Sequence, residues 1–109
     1  CTVIYEGKAV RSCLMFAVQA GGAEIETIEG LADGKNLHPL QILFSEQRAL
    51  QCGFCTPGML MAAIDLVHNN PTISSEDIRL GMSAVLCRCT GYEGIINAVE
   101  IYANQVWRK

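Results

Sequence analysis

Positive charge is scarce in this sequence. Eight Lys and Arg stand against eleven Asp and Glu in 109 residues, a formal net charge of −3, and the cations are scattered rather than clustered. No basic stripe is left to meet a phosphate backbone or an anionic lipid surface, so neither nucleic acid nor membrane is expected as a partner. Long apolar runs are also missing. None approaches the roughly 18 to 20 residues of a membrane span, and the opening residues lack the basic, apolar and small-residue succession of a secretory signal. The expectation is a soluble, cytoplasmic protein. Histidine is limited to His38 and His68, each alone at a predicted helix boundary, where capping or a surface role is expected rather than metal binding. No nucleophile stands beside a base and no phosphate loop occurs, so catalysis by a side chain of this chain is not expected.

What is present is core and cysteine. Half of the residues are hydrophobic, enough for one compact domain or one and a half small ones. Cys1, Cys13, Cys52, Cys55, Cys87 and Cys89 make an even number that would suit three disulfides. Disulfide-dense scaffolds are usually short of core, however, whereas this chain carries long apolar helical patterns. Cys-x-x-Cys and Cys-x-Cys pairs without a secretion signal point to metal or redox chemistry in a reducing compartment. The initial Cys1 fits a processed chain, a fragment or a lipidated protein. The Thr-Val-Ile-Tyr that follows it reads as a strand and not a flexible tether.

The spacing predicts a hairpin from Thr2–Tyr5 through the Glu6-Gly7 turn to Lys8–Val10. The run SCLMFAVQA reads as helical up to Gly21-Gly22, and AEIETIEGL as a further strand ending at Gly30. From His38 the pattern becomes helical. Pro39 opens a helix whose apolar side is Leu40, Leu43, Phe44 and Leu50, up to Gln51. Thr56 suits an N-cap and Pro57 the first helical position of a second, nearly all-apolar and therefore buried helix, stopped at Asn70-Pro71. Ser74 with Asp77 resembles a capping box for a third helix through Ile78, Met82 and Val85. Ile95, Val99, Tyr102 and Val106 mark a fourth after Gly91, with Asn97, Glu100 and Asn104 on its wet side. Met59, Met61 and Met82 read as core filler, Trp107 as core or a subunit contact, and Glu46-Gln47-Arg48 as a solvated helix face.

The four helical segments form two similar halves, each a helix, a close cysteine pair, a Thr, then another helix; CGFCTPGML parallels CRCTGYEGI. The repeat suggests two helical hairpins about a pseudo-two-fold axis, with both cysteine-bearing elbows at one end. Cys52, Cys55, Cys87 and Cys89 would then converge as four thiolates. Soft sulfur ligands suit zinc and iron-sulfur clusters alike. Two close pairs from separate loops fit a 2Fe-2S cluster, which takes two thiolates per iron. Helix N-termini beside the pairs favour an anionic centre, but zinc tetrathiolate is also a dianion, and a disulfide or free thiols stay open.

QCGFCTPGM followed by LCRCTGY resembles the paired motif of the iron-sulfur subunits and domains of molybdenum hydroxylases, the family of xanthine dehydrogenase, aldehyde oxidoreductase and aerobic carbon monoxide dehydrogenase. The resemblance implies an α+β protein. Residues 1–36 would be the end of a plant-ferredoxin-like β-grasp domain with its connection, and residues 37–109 a four-helix 2Fe-2S domain. It implies that Cys52, Cys55, Cys87 and Cys89 hold one cluster. Cys1 and Cys13 would be the last two ligands of a second cluster, whose other two ligands and the family's N-terminal part would lie before this sequence. It further implies that Gln51 and Cys89 touch a molybdopterin cofactor on a large partner subunit, and that electrons leave towards FAD on another subunit. Many members read Gly-Asn-Leu before Cys-Arg-Cys, where this chain has Ala84-Val85-Leu86, so the approach to Cys87 is expected to differ in detail. The end of the chain soon after the fourth helix favours a separate small subunit over a fused polypeptide. A structural zinc module and a free-standing ferredoxin-type carrier are the competing readings.

Overall fold

A computed structural model describes residues 1–108. The predicted hairpin is present, with β1 (Thr2–Tyr5) antiparallel to β2 (Lys8–Arg11), and β3 (Ile25–Glu26) pairs on the other side of β1, giving the order β2-β1-β3. The expected third strand to Gly30 is cut to two residues. Ile25 and Glu26 find partners in Tyr5 and Ile4. The chain then turns into a 3-10 segment at Ile28–Gly30, which sends Ile28 and Leu31 against the helical core. SCLMFAVQA is not one helix either. It forms separate 3-10 turns at Ser12–Leu14 and Ala17–Ala20, with Met15 and Phe16 extended between them. Leu14, Phe16 and Val18 are exposed, so no buried face supports a longer helix here.

Helices α1 (Pro39–Glu46), α2 (Thr56–His68), α3 (Ser75–Met82) and α4 (Glu93–Trp107) enclose the core, in which Leu40, Phe44, Met59, Ile78, Ile95 and Val99 are almost wholly buried. Each such side chain contributes roughly 1.5 to 3 kcal/mol of burial. The methionines are core filler as expected, and the Ser74–Asp77 capping box closes in both directions, at 3.0 and 3.2 Å. Trp107 is partly exposed and donates its indole N–H to Val67 O (2.8 Å). Helix α1 stops well short of Gln51. Arg48 takes φ +53°, Ala49 becomes the buried apolar residue, and Leu50 turns outward. Helix α2 starts one residue early, with Cys55 at the cap position and Thr56 inside the first turn.

The hairpin lies on α2. Ala9 N–H on the open edge of β2 donates to Asp65 Oδ2 (2.9 Å), and Asn69 Nδ2 donates to Gly7 O (3.3 Å). Arg11 donates to Thr2 Oγ1 (2.6 Å) and to Ala84 O, fastening the hairpin to the loop before Cys87.

Both histidines sit against Tyr102 of α4. His38 Nδ1 accepts Leu40 N–H (3.1 Å), capping α1, and the His68 ring nitrogen Nε2 is 2.7 Å from the Tyr102 hydroxyl. Burial, and next the charge of His68, hold His38 below the ordinary imidazole value. The cap requires neutral Nδ1, so its stabilisation is complete above about pH 6.5 and is lost as pH falls through the depressed value. His38→Ala should therefore lower stability by about 1 kcal/mol at pH 8, with the gap to wild type narrowing below pH 6. Thermal denaturation across that range checks this; a constant gap contradicts it.

A Cβ on Gly94 would stand 2.6 Å from Gln47 O and 2.9 Å from Arg48 O. Both are backbone atoms that cannot swing aside. Gly94→Ala is expected to destabilise the fold by about 1 to 3 kcal/mol, measured by chemical denaturation, and a neutral result would show that α4 is not seated as described.

Candidate metal centre

Two chain reversals carry the close cysteine pairs: residues 47–55 between α1 and α2, and residues 83–92 between α3 and α4. In the first, Gly53 takes φ +81°, a left-handed turn that lets Cys52 and Cys55 face the same side. The structure brings the two elbows together. The Cys89 thiol donates to Cys52 Sγ at 3.5 Å, and Cys87 is near enough to Cys55 to raise its pKa. Each contact joins one elbow to the other. Cys55 also senses the charge of Cys52, and Cys89 that of Cys87, so the two pairs are neighbours. With Phe54, Leu86 and Arg88 the four cysteines line a cavity of about 280 Å³. Among the described residues no three His, Cys, Asp or Glu side chains are grouped as a site for a metal ion; the thiols stand as two pairs.

The pairs differ in environment. Cys52 and Cys89 are exposed, Cys55 is half-buried, and Cys87 is only 8% exposed. Burial, then the bond with Cys87, pushes the Cys55 thiol up to about 11. Burial pushes Cys87 up as well, but bonds from the Thr90 hydroxyl, the Thr90 and Cys89 backbone and Cys55 outweigh it and bring Cys87 down to about 7. Cys89 is raised, first by its bond to Cys52. Phe54 N–H donates to Cys52 Sγ at 3.4 Å. The arrangement offers soft sulfur donors, one of them Cys55 at the N-terminal cap position of α2, a setting that suits an anionic metal centre.

Gln51 and Cys89, expected to share an outward contact, are in contact with each other: Gln51 Nε2 donates to Cys89 O (3.1 Å). Cys1 and Cys13 are not part of this group. Ser12 N–H and its hydroxyl both donate to Cys1 O at 2.8 Å, which holds Cys1 beside the residue before Cys13 at the open end of the hairpin. Tyr92 and Thr90 were not singled out from sequence. Tyr92 adopts φ +70° and its hydroxyl accepts Cys87 N–H (2.8 Å), while Thr90 Oγ1 lies 3.1 Å from Cys87 Sγ. The aromatic two places after Cys-Thr was the available signal, but only the folded loop shows which amide it serves.

Residues 27–100 match the family model described as the 2Fe-2S binding domain. The chain belongs to the 2Fe-2S binding domain family. It is 48% identical over its whole length to the nicotine 6-hydroxylase small subunit of Paenarthrobacter nicotinovorans, covering 66% of that protein. Against the xanthine dehydrogenase iron-sulfur-binding subunit of Escherichia coli O157:H7 it is 44% identical, with 91% of this chain and 64% of that protein aligned. The chain thus spans just under two thirds of these curated relatives. The crystal structure of quinoline 2-oxidoreductase from Pseudomonas putida 86 superposes with a TM-score of 0.90 at 49% identity, over 99% of this chain and 67% of that one. Aldehyde oxidoreductase from Desulfovibrio gigas also gives a TM-score of 0.90, at 41% identity over 97% of this chain and 12% of that one.

For a 2Fe-2S binding domain the Cys87 loop must hold its shape, and Tyr92 keeps an uncommon backbone conformation while its hydroxyl satisfies the amide of the most buried cysteine. Tyr92→Phe leaves that amide without its acceptor and should cost about 1 to 3 kcal/mol. Thermal unfolding of the iron-loaded protein measures it; unchanged stability would mean that the bond is dispensable.

Proposed function

We propose that this chain is the electron-transfer part of a molybdenum-dependent hydroxylase or dehydrogenase, placed between a molybdopterin centre on a large partner subunit and FAD on another subunit of a cytoplasmic complex. Its relatives named above are the small or iron-sulfur subunits of a nicotine hydroxylase and a xanthine dehydrogenase. Cys52, Cys55, Cys87 and Cys89 hold one 2Fe-2S cluster in this reading. Cys1 and Cys13 belong to a second at the end of a ferredoxin-like β-grasp unit comprising residues 1–36, followed by a pseudo-two-fold four-helix unit over residues 37–109. No helix among the described residues is long and apolar enough to cross a membrane.

The observation that carries the reading is that four cysteines from both elbows line one cavity, with Cys52 and Cys89 Sγ 3.5 Å apart across the elbows, in a chain that matches a 2Fe-2S binding domain model. A two-iron cluster takes two thiolates at each iron, whereas a single tetrahedral ion takes four around one point. When bound, such a cluster accepts and releases one electron at a time. This chain's residues hold the thiols and shield them: Cys87 is buried and Cys55 half-buried, Phe54 N–H stands at Cys52 Sγ, and Cys55 occupies the cap position at the positive dipole end of α2. Phe54 and Leu86, 93% and 81% exposed, flank the cavity as an apolar rim that suits a covering subunit. Gln51 and the exposed Cys89 belong to that same outward face and are assigned to the molybdopterin contact.

The hairpin flanked by Cys1 and Cys13 is fastened to the helical unit. Thr2 Oγ1 and Val85 both abut Gly58 in the first turn of α2, and Arg11 ties Thr2 to Ala84. In this reading the Cys1 and Cys13 end is the outlet side, joined to the helical unit through Arg11 and Thr2.

The test is a pair of substitutions in the full-length protein, prepared anaerobically and analysed for iron, sulfide and EPR. Cys87→Ser should abolish one of two cluster signals and Cys13→Ser the other, with iron falling by about half in each. Zinc in place of iron, or both substitutions removing the same signal, would reject the assignment.

A further inference from the structure

The two elbows end alike, each with a threonine directly after its last cysteine, yet the two hydroxyls have different surroundings. Thr56 Oγ1 is buried and has no hydrogen-bond partner among the described residues. Thr90 Oγ1 accepts Tyr92 N–H at 3.2 Å and lies 3.1 Å from Cys87 Sγ. With an N–H already directed at its oxygen, the Thr90 hydroxyl proton is free for the sulfur. A metal-bound thiolate carries no proton and can only accept, which fixes the direction of that bond.

We propose that Thr90 is a tuning residue of the metal centre, donating its hydroxyl to Cys87 Sγ and so raising the reduction potential of the cluster held there. Reduction adds one negative charge to the centre without breaking a bond in the protein, and a hydrogen bond donated to a sulfur ligand favours the more negative state. The bond lies in a sheltered place, because Cys87 is the most buried of the four thiols; a low local dielectric strengthens it. Its geometry is held by the surrounding loop. Tyr92 bonds at both ends, through its N–H to Thr90 and through its hydroxyl to Cys87 N–H, so Thr90 does not rotate away freely. Cys52, by contrast, is exposed and meets a backbone N–H at the longer distance of 3.4 Å.

The inference rests on the reading of Cys87 as a 2Fe-2S ligand, and the experiment separates the two. EPR-monitored potentiometry is carried out on the full-length protein, following the signal that Cys87→Ser removes. Thr90→Val should make reduction of that cluster about tenfold less favourable, a downward shift of about 59 mV for one electron. Thr90→Ser, which keeps the hydroxyl, should restore the wild-type potential, and Thr56→Val, which removes a hydroxyl without a partner, should leave it unchanged. Thr90→Ala replaces Thr90→Val if the latter does not load iron. A wild-type protein without iron and sulfide overturns the 2Fe-2S reading itself. An intact cluster whose potential is the same in wild type and Thr90→Val, or which shifts equally in Thr90→Val and Thr56→Val, overturns the role of Thr90 alone.

Discussion

Helix α4 can begin where it does because Gly94 has no side chain. Its Cα faces the carbonyls of Gln47 and Arg48, at the reversal where α1 has just ended. That close approach presses the start of α4 against the start of the first cysteine elbow, and the rest of the site follows from it. Cys89, five residues upstream of Gly94, comes within 3.5 Å of Cys52, and its carbonyl meets Gln51. The apolar core then locks the arrangement, since Leu40 and Phe44 of α1, Met59 of α2 and Ile95 and Val99 of α4 are buried in one cluster. Cysteines separated by more than thirty positions are thus brought together by the packing of α1 and α4.

The asymmetry of the site follows from how the elbows are built. The first is a wide turn on the surface, and its leading cysteine remains exposed. The second is cross-braced by Thr90 and Tyr92, which bond to Cys87 Sγ and Cys87 N–H, and Cys87 is buried there. Cys52 and Cys89 therefore stay exposed beside Gln51, while Cys87 joins the core and Cys55 packs against it. Arg11 contributes by joining β1 and β2 to Ala84, so the two cysteine sets are parts of one packed body.

Much of this was legible in the residues. The hairpin, the buried α2, the Ser74–Asp77 box and the two cysteine elbows all depend on local chemistry, in which neighbours in sequence decide the outcome. The failures share a different cause. Leu50 fits the helical period of α1 but is 40% exposed, because the reversal that receives Gly94 ends the helix first, and that partner lies far along the chain. SCLMFAVQA has helical composition but no surface to pack upon, so it breaks into single turns. Thr90 and Tyr92 could be seen as loop residues, but which sulfur and which amide they serve depends on a left-handed tyrosine that no local preference predicts. The motif identified the thiols; their pairing across the elbows required the fold.

That pairing can be read directly from the positions of the metal atoms. A crystal structure of the anaerobically prepared protein, with anomalous scattering recorded at the iron absorption edge, would locate each metal atom and its sulfur ligands. The account predicts two irons in the cavity beside Phe54 and Leu86, one bound by Cys52 and Cys89 and the other by Cys55 and Cys87. Irons bound within elbows, Cys52 with Cys55 and Cys87 with Cys89, or a single metal surrounded by all four thiolates, would contradict it.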